Sequence, residues 1–302
     1  MKKTIIIFIV ILAGLFIYLS YVDSKGEYAA EEALWKINKQ AMEISKDPDS
    51  VPSATYERIE KKYYEFINKF PKSKLTPMAH ILIGRLYAVQ KNYSKALEKF
   101  KFVVKEYSQD PSVAITATIE LGKIYEETKD YDDLIGTHKQ ILRNYPLTAI
   151  GLKVPVIIAK IYSNRGDQVS ADKAYKDAIA HYKDVIGQKP DTFAAYESMR
   201  YAAVCYLDLG KQPEALTLLG GVLIKSANTG YLNRRTATVL LETIDSIAGV
   251  NMENRNLAIK IYKDFISAHP KHTLSAVMQT IIIKLGEIKA EPQNLESANN
   301  RK

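Results

Sequence analysis

Ile83-Gly84-Arg85-Leu86-Tyr87 decides the fold, because its pairing of a small residue with a tyrosine three places later recurs along the chain. The copies begin about forty residues apart, a period typical of stacked helical hairpins. We therefore predict an all-α solenoid of about five to six hairpins. The four pairs are Gly84/Tyr87, Gly122/Tyr125, Ala159/Tyr162 and Ala203/Tyr206.

Each pair is followed by further markers of a second helix. Twelve places after the small residue stand Ala96, Leu134, Ala171 and Ala215, and sixteen places after it stand Phe100, His138, Tyr175 and Leu219. Small residues let the two helices of a hairpin approach closely, and the larger ones fill the space beside them. Each hairpin then exposes an apolar flank that only a neighbouring hairpin can cover.

Proline and polar residues mark where the helices begin and end. Pro77, Pro111 and Pro155 stand where we expect first helices to begin, and Thr76 and Asp110 precede two of them as N-caps. Asn, Asp or Gly occupies the turn inside each hairpin, as in Lys91-Asn92, Lys129-Asp130, Arg165-Gly166-Asp167 and Leu209-Gly210-Lys211.

The spacing resembles the tetratricopeptide repeat (TPR), whose pattern includes L-G-x2-Y, then A-x3-F, then P. Gly84, Tyr87, Ala96 and Phe100 match it closely, and the resemblance covers about residues 53–270. The resemblance is specific for the fold and nearly uninformative about activity, since function depends on the site rather than on the scaffold. The stretch 64–73, which contains a Pro-Lys-Ser turn, resembles bacterial envelope members: the outer-membrane-assembly lipoprotein, the Tol–Pal coordinator and an ancillary subunit of the secretion translocon.

The N-terminus predicts a membrane segment. Residues 5–22 are almost continuously apolar, and eighteen residues of helix span about 27 Å, close to the thickness of a bilayer core. Lys2 and Lys3 favour a cytoplasmic start, so the rest of the chain would be exported. A cleaved signal peptide is the alternative, and it would leave a secreted or periplasmic protein.

The resulting domain prediction has three parts. Residues 1–26 form the anchor, or signal peptide, with a short polar linker at 23–26. Residues 27–289 form the repeat domain, and residues 290–302 are a polar, disordered tail.

Composition and motifs predict no catalytic, cofactor or metal site. The chain has neither a phosphate-binding glycine loop nor a His-Glu-x-x-His pair, and its net charge of +8 is too small for a nucleic-acid binder. Its single cysteine, Cys205, excludes an internal disulfide and is predicted to be a buried, inert thiol.

One pattern of charge predicts a binding surface. Arg85, Lys123 and Lys160 each follow the small residue of a repeat, and Lys153 and Arg200 extend the row. The resemblance implies that this position faces the partner groove, where cations would favour acidic side chains or a C-terminal carboxylate. The alternative interpretation is an ordinary solvated helix face.

We therefore expect a membrane-anchored scaffold that binds other envelope proteins or peptides on the extracytoplasmic face of the inner membrane, with residues 5–22 in the bilayer and no nucleic-acid partner. The alternative is a permanent structural subunit of a larger inner-membrane or envelope-assembly complex.

Overall fold

The computed structural model describes the backbone of residues 2–287 and the side chains of residues 12–14 and 26–287. Within this range the chain is all-α, with no strand. One short 3-10 helix (Pro48–Ser50) lies between the first two α-helices. The α-helices are α1 (Lys2–Ile44), α2 (Ser53–Lys69), α3 (Thr76–Val89), α4 (Tyr93–Glu106), α5 (Pro111–Glu127), α6 (Tyr131–Asn144), α7 (Ala149–Asn164), α8 (Gln168–Gln188), α9 (Phe193–Asp208), α10 (Gln212–Ser226), α11 (Arg234–Ala248), α12 (Met252–Ala268) and α13 (Thr273–Glu287).

Helix α1 includes the residues predicted as anchor and linker. The polar stretch 23–26 does not interrupt it, since a single glycine weakens a helix by only about 1 kcal/mol and the stretch has no proline. Most side chains of residues 5–22 lie outside the described ones, as does the predicted tail 290–302. Among the residues that are described, no helix has the length and apolar character needed to span a bilayer.

Residues 1–137 form one compact unit, in which α1 packs on α2 and α3, and α2 to α5 pack in succession. Ala30 and Leu34 of α1 are buried in this unit. Glu27, near the start of the same face, accepts hydrogen bonds from the Ser73 hydroxyl at 2.9 Å and the Lys74 amide at 3.2 Å. The second half of α1 is therefore part of the folded body.

The described residues from 138 onward form the other unit, in which α7 to α10 pack in succession and α12 contacts α10, α11 and α13. Its largest apolar core is centred on Leu216, Leu240, Tyr262 and Phe265, all of which are buried. Helix α13 covers the last hairpin with Met278 and Leu285, as expected for a capping helix.

The predicted contact between small and large residues is confirmed within the hairpins. Ala96, Ala171 and Ala215 are fully buried on the second helices. A β-carbon at Gly84 would lie 2.5 Å from the Phe100 ring, so only glycine lets α3 and α4 come this close. The four repeat tyrosines point inward to different degrees: Tyr87 and Tyr125 are buried, whereas Tyr162 and Tyr206 are half-buried against the core of the second unit.

The turns inside the hairpins share one geometry. Lys91, Lys129, Gly166 and Gly210 all have positive φ, between 58° and 78°. A single left-handed residue follows the first helix, and the residue after it precedes the first turn of the second helix. Asn92 and Asp167 then cap second helices by accepting hydrogen bonds from the amides of Lys95 and Ser170.

Two predicted helix starts are wrong. Pro155 lies inside α7, which begins six residues earlier at Ala149 behind the cap Thr148; the Thr148 hydroxyl accepts from the Gly151 amide at 3.1 Å. Thr76 is the first residue of α3 rather than its cap, because its hydroxyl donates instead to the Phe70 carbonyl. The other starts are confirmed: Asp110 caps α5, Pro111 begins it, and Pro77 lies in the first turn of α3.

Candidate partner-binding site

Two of the predicted groove cations meet at one buried carboxylate in the first unit. Arg85 Nη2 lies 2.7 Å from Glu120 Oε1, and Lys123 Nζ lies 2.9 Å from the same oxygen. Arg85 belongs to α3, whereas Glu120 and Lys123 belong to α5, so the cluster joins the first helices of successive hairpins. The Glu120 side chain is only 8% exposed, and the two cations stabilise its charge there.

The same two cations still reach solvent. The Arg85 side chain is 44% exposed and that of Lys123 is 60% exposed. Two positive charges around one carboxylate leave a net charge of one, and most of the guanidinium and ammonium donors are not used by Glu120. The cluster can therefore accept a further carboxylate, although part of its charge is neutralised internally.

The second unit holds the other three predicted cations. Lys153 and Lys160 lie on α7 and are exposed. Lys160 Nζ is 3.9 Å from Asp208 Oδ2, at the outer limit of an ion pair, and Lys153 has no ion-pair partner among the described residues. These two lysines are thus freer than Arg85 and Lys123 to bind an acidic group.

Arg200 is the most constrained of the predicted cations. Its Nη1 donates to Glu197 Oε1 at 2.7 Å and to the Tyr231 hydroxyl at 3.3 Å. Burial disfavours the charged guanidinium, but the contacts with Tyr231 and Glu197 outweigh burial and raise the pKa of Arg200. Its side chain is 31% exposed, so it supports the local structure more than it offers a docking charge.

The sequence prediction missed the acids that hold these cations. Glu120 and Glu197 are both buried, and each lies three residues before its cation on the same helix face. That spacing is readable in the sequence, because residues three apart on a helix are neighbours. The burial of the two acids is not readable, since it depends on packing against segments distant in sequence, such as the helix of Arg85 for Glu120 and the loop of Tyr231 for Glu197.

The described residues contain no group of three or more acidic, histidine or cysteine side chains that could hold a metal. Cys205 is fully buried, and burial raises the pKa of its thiol to about 12, so it stays protonated and unreactive. The prediction of a buried thiol is therefore confirmed.

The order of the helices, paired into hairpins, agrees with the protein family that the sequence matches. A family model described as a tetratricopeptide repeat-like domain matches residues 2–185, more than half of the chain. The chain belongs to this TPR-like family. Domains of this kind are typically non-catalytic scaffolds for protein–protein interaction.

Individual relatives are more distant. Hsp70-Hsp90 organizing protein 2 of Arabidopsis thaliana is 26% identical over 153 residues, a match that covers 45% of this chain and 26% of that protein. The chain thus matches about a quarter of the length of that relative.

Solved structures matched by this chain include BtubC (BKLC) from P. vanneervenii and the C-terminal part of a TPR repeat-containing protein from Cytophaga hutchinsonii. The first has a TM-score of 0.42 and 12% identity over 88% of this chain and 98% of that chain. The second has a TM-score of 0.41 and 16% identity over 87% of this chain and 98% of that chain.

Proposed function

We propose that this TPR-like protein is a membrane-anchored scaffold that binds other envelope proteins or peptides on the extracytoplasmic face of the inner membrane. The match of the family model to residues 2–185 is the observation that carries the scaffold role. The distant relative is named for organising Hsp70 and Hsp90, which supports proteins as the class of partner. The apolar run at residues 5–22 supports the anchor.

Membrane attachment and orientation are tested on the full-length chain in its native cells. We expect it to stay in the membrane pellet after alkaline carbonate extraction and to become protease-sensitive only when the outer permeability barrier is opened. Intact mass spectrometry separates an uncleaved anchor from a cleaved signal peptide. A full-length chain released into the soluble fraction would contradict the anchor.

Acidic partners are the proposed ligands of the exposed cations. The test is crosslinking in intact cells followed by mass spectrometry, comparing the wild type with a Lys153→Glu, Lys160→Glu double variant. We choose these two lysines because neither contacts a buried carboxylate, so their reversal leaves the Glu120 cluster intact. Loss of the most abundant crosslinked partners is the expected result.

The matched control is a Lys36→Glu, Lys260→Glu double variant. These lysines are exposed by 61% and 72% and belong to α1 and α12, neither of which carries a predicted cation. The control makes the same change in net charge and should keep the wild-type partners. If both double variants, or neither, lose the partners, Lys153 and Lys160 are not the charges that bind them.

The alternative of a permanent subunit is favoured by one observation. Tyr28, Trp35 and Met42 are each more than 60% exposed and lie seven residues apart, so they form one apolar stripe on α1. Purification of the full-length chain in mild detergent distinguishes the two functions. A lone chain favours a scaffold with exchangeable partners, whereas constant co-purification at fixed stoichiometry favours a permanent subunit.

A further inference from the structure

The second unit contains a cavity of about 410 Å³ between the start of α9 and the loop that precedes α11. Phe193, Tyr196 and Glu197 of α9 form one side, and Tyr231 and Asn233 of the loop form the other. Asp191, just before α9, adds a second acidic side chain to the lining. The cavity differs in chemistry from the row of cations described above.

Three aromatic rings form the walls. The centroids of Tyr196 and Tyr231 are 5.0 Å apart, and those of Phe193 and Tyr231 are 5.9 Å apart in an edge-to-face arrangement. The Tyr196 hydroxyl donates to the Lys225 carbonyl, and the Tyr231 hydroxyl donates to Glu197. Both hydroxyls are occupied and Tyr196 is only 2% exposed, so the accessible π surface, which attracts cations, comes from the exposed Phe193 ring and the half-buried Tyr231 ring.

Every charged residue that lines the cavity is acidic, in a chain whose net charge is +8. Glu197 is buried and neutralised by Arg200, which does not line the cavity. Asp191 has no ion-pair partner among the described residues and is exposed, so its charge is available. The cavity therefore carries an unpaired negative charge beside aromatic surface.

The neighbouring helix ends do not favour an anion instead. The Thr192 hydroxyl accepts from the Ala195 amide at 3.3 Å, and the Asn233 side chain accepts from the Thr236 amide at 3.1 Å. Each cap takes an amide that would otherwise bind an anion at a helix N-terminus. Asp191, with a φ of 56°, holds a carboxylate close to the same point.

We propose that this cavity binds an arginine side chain of a partner polypeptide. A planar guanidinium can stack on a tyrosine or phenylalanine ring while its edge donates two hydrogen bonds to a carboxylate, which a lysine ammonium does not do. The exposed Phe193 ring and the Asp191 carboxylate supply these two contacts at the mouth. The inference deepens the proposed scaffold function by adding a site of opposite charge preference.

The test is isothermal titration calorimetry of the full-length chain in detergent with a capped pentapeptide that has arginine at its centre and alanine elsewhere. The comparison peptide replaces arginine with citrulline, which keeps the shape and removes the charge. We expect binding of the arginine peptide that weakens as salt is raised, and no measurable binding of the citrulline peptide.

Two variants locate the binding. Asp191→Asn removes the charge and keeps a residue type that tolerates positive φ, so the backbone is preserved. Phe193→Ala removes the exposed ring. Each should weaken binding at least about threefold. Asp184→Asn and Phe102→Ala make the same changes at exposed positions outside the cavity and should leave binding unchanged.

Equal binding of the two peptides, absence of arginine binding, or equal effects of the cavity and control variants would overturn the proposal. Tighter binding of an otherwise identical lysine peptide would overturn the guanidinium assignment. None of these results would alter the crosslinked partners that test the scaffold function, so the two proposals fail separately.

Discussion

The α3/α4 hairpin of the first unit and the α7/α8 hairpin of the second follow the same repeat pattern but solve one packing problem differently. Four residues before the small residue stands His80 in α3 and Pro155 in α7. Twenty-three residues after it stands Tyr107 in one hairpin and Tyr182 in the other. Equivalent positions therefore hold a histidine or a proline, each accompanied by a tyrosine.

In the first hairpin, His80 is 8% exposed and packs against the rings of Phe102 and Tyr107, with centroid distances of 5.0 and 6.1 Å. Its buried Nδ1 has no hydrogen-bond partner among the described residues. Tyr107 is half-buried and lies just beyond the end of α4. This hairpin thus retains a buried polar atom without a hydrogen bond, which lowers the stability of the fold.

In the second hairpin, α8 continues past the equivalent position, so Tyr182 lies within the helix. Its side chain is fully buried. Its hydroxyl donates to the Leu152 carbonyl at 2.9 Å and accepts from the Val156 amide at 3.2 Å. In a regular α-helix the Val156 amide would donate to the Leu152 carbonyl. Pro155, the residue before Val156, has no backbone N–H to donate. The second hairpin thus satisfies its buried polar groups, whereas the first leaves His80 Nδ1 without a partner among the described residues.

Protonation of His80 in acid should cause the largest loss of unfolding free energy. Burial and the nearby charge of Lys99 lower the pKa of His80 to about 4 from its usual 6.5. As the pH falls, the unfolded chain therefore binds the His80 proton before the folded chain does. The contribution of neutral His80 to the free energy of unfolding is fully present above pH 6.5, and about 3 kcal/mol is lost as the pH falls toward 4. Urea unfolding followed by circular dichroism at several pH values measures this loss.

His80→Met is the matched variant, because Met199 occupies the equivalent position in α9. The variant should lose less stability than the wild type over the same pH range, since its other titrating groups are unchanged. Parallel curves of unfolding free energy against pH for the two proteins would show that His80 is not the group responsible.

Gly84→Ala should have the next largest effect. The new methyl group would lie 2.5 Å from the buried Phe100 ring, and such overpacking costs about 2 kcal/mol. Gly136→Ala is the control, because a β-carbon there meets no atom within 4 Å and alanine favours a helix. Thermal unfolding should show a lower midpoint for the first variant and an equal or higher one for the second.

Tyr182→Phe should cost about 1.5 kcal/mol, because it removes the hydroxyl that serves the Leu152 carbonyl and the Val156 amide. Tyr63→Phe is the buried control: the Tyr63 hydroxyl is equally enclosed but has no partner among the described residues, so its removal should be neutral or stabilising. Equal losses of unfolding free energy in the two variants would refute the proposed role of the Tyr182 hydroxyl.

Tyr107→Phe should have the smallest effect, below about 0.5 kcal/mol, because Tyr107 is half-buried and its hydroxyl bonds to no other described group. A cost similar to that of Tyr182→Phe in the same unfolding measurement would mean that the two hairpins use their tyrosines alike. The conclusion that only Tyr182 stabilises its hairpin through its hydroxyl would then be wrong.

Much of the fold could be predicted from single residues. The period of the small and aromatic residues predicted the hairpins, and the turn residues predicted where they divide, because these features depend on local geometry and close approach alone. Pro155 was misplaced because proline is most easily tolerated at a helix start. Its acceptance inside α7, beside the bridge that the Tyr182 hydroxyl makes from another helix, depends on a contact distant in sequence.

The candidate site, too, was predicted from the sequence only in part. The sequence by itself determined an array of helical hairpins and the identities of Arg85, Lys123, Lys153, Lys160 and Arg200 as its candidate cations. Only the tertiary structure decided that Glu120 and Glu197 are buried beside three of them and that aromatic rings enclose an acidic cavity at α9. Helix formation and turns follow from neighbours along the chain, whereas the burial of a charge depends on which side chains other hairpins place against it.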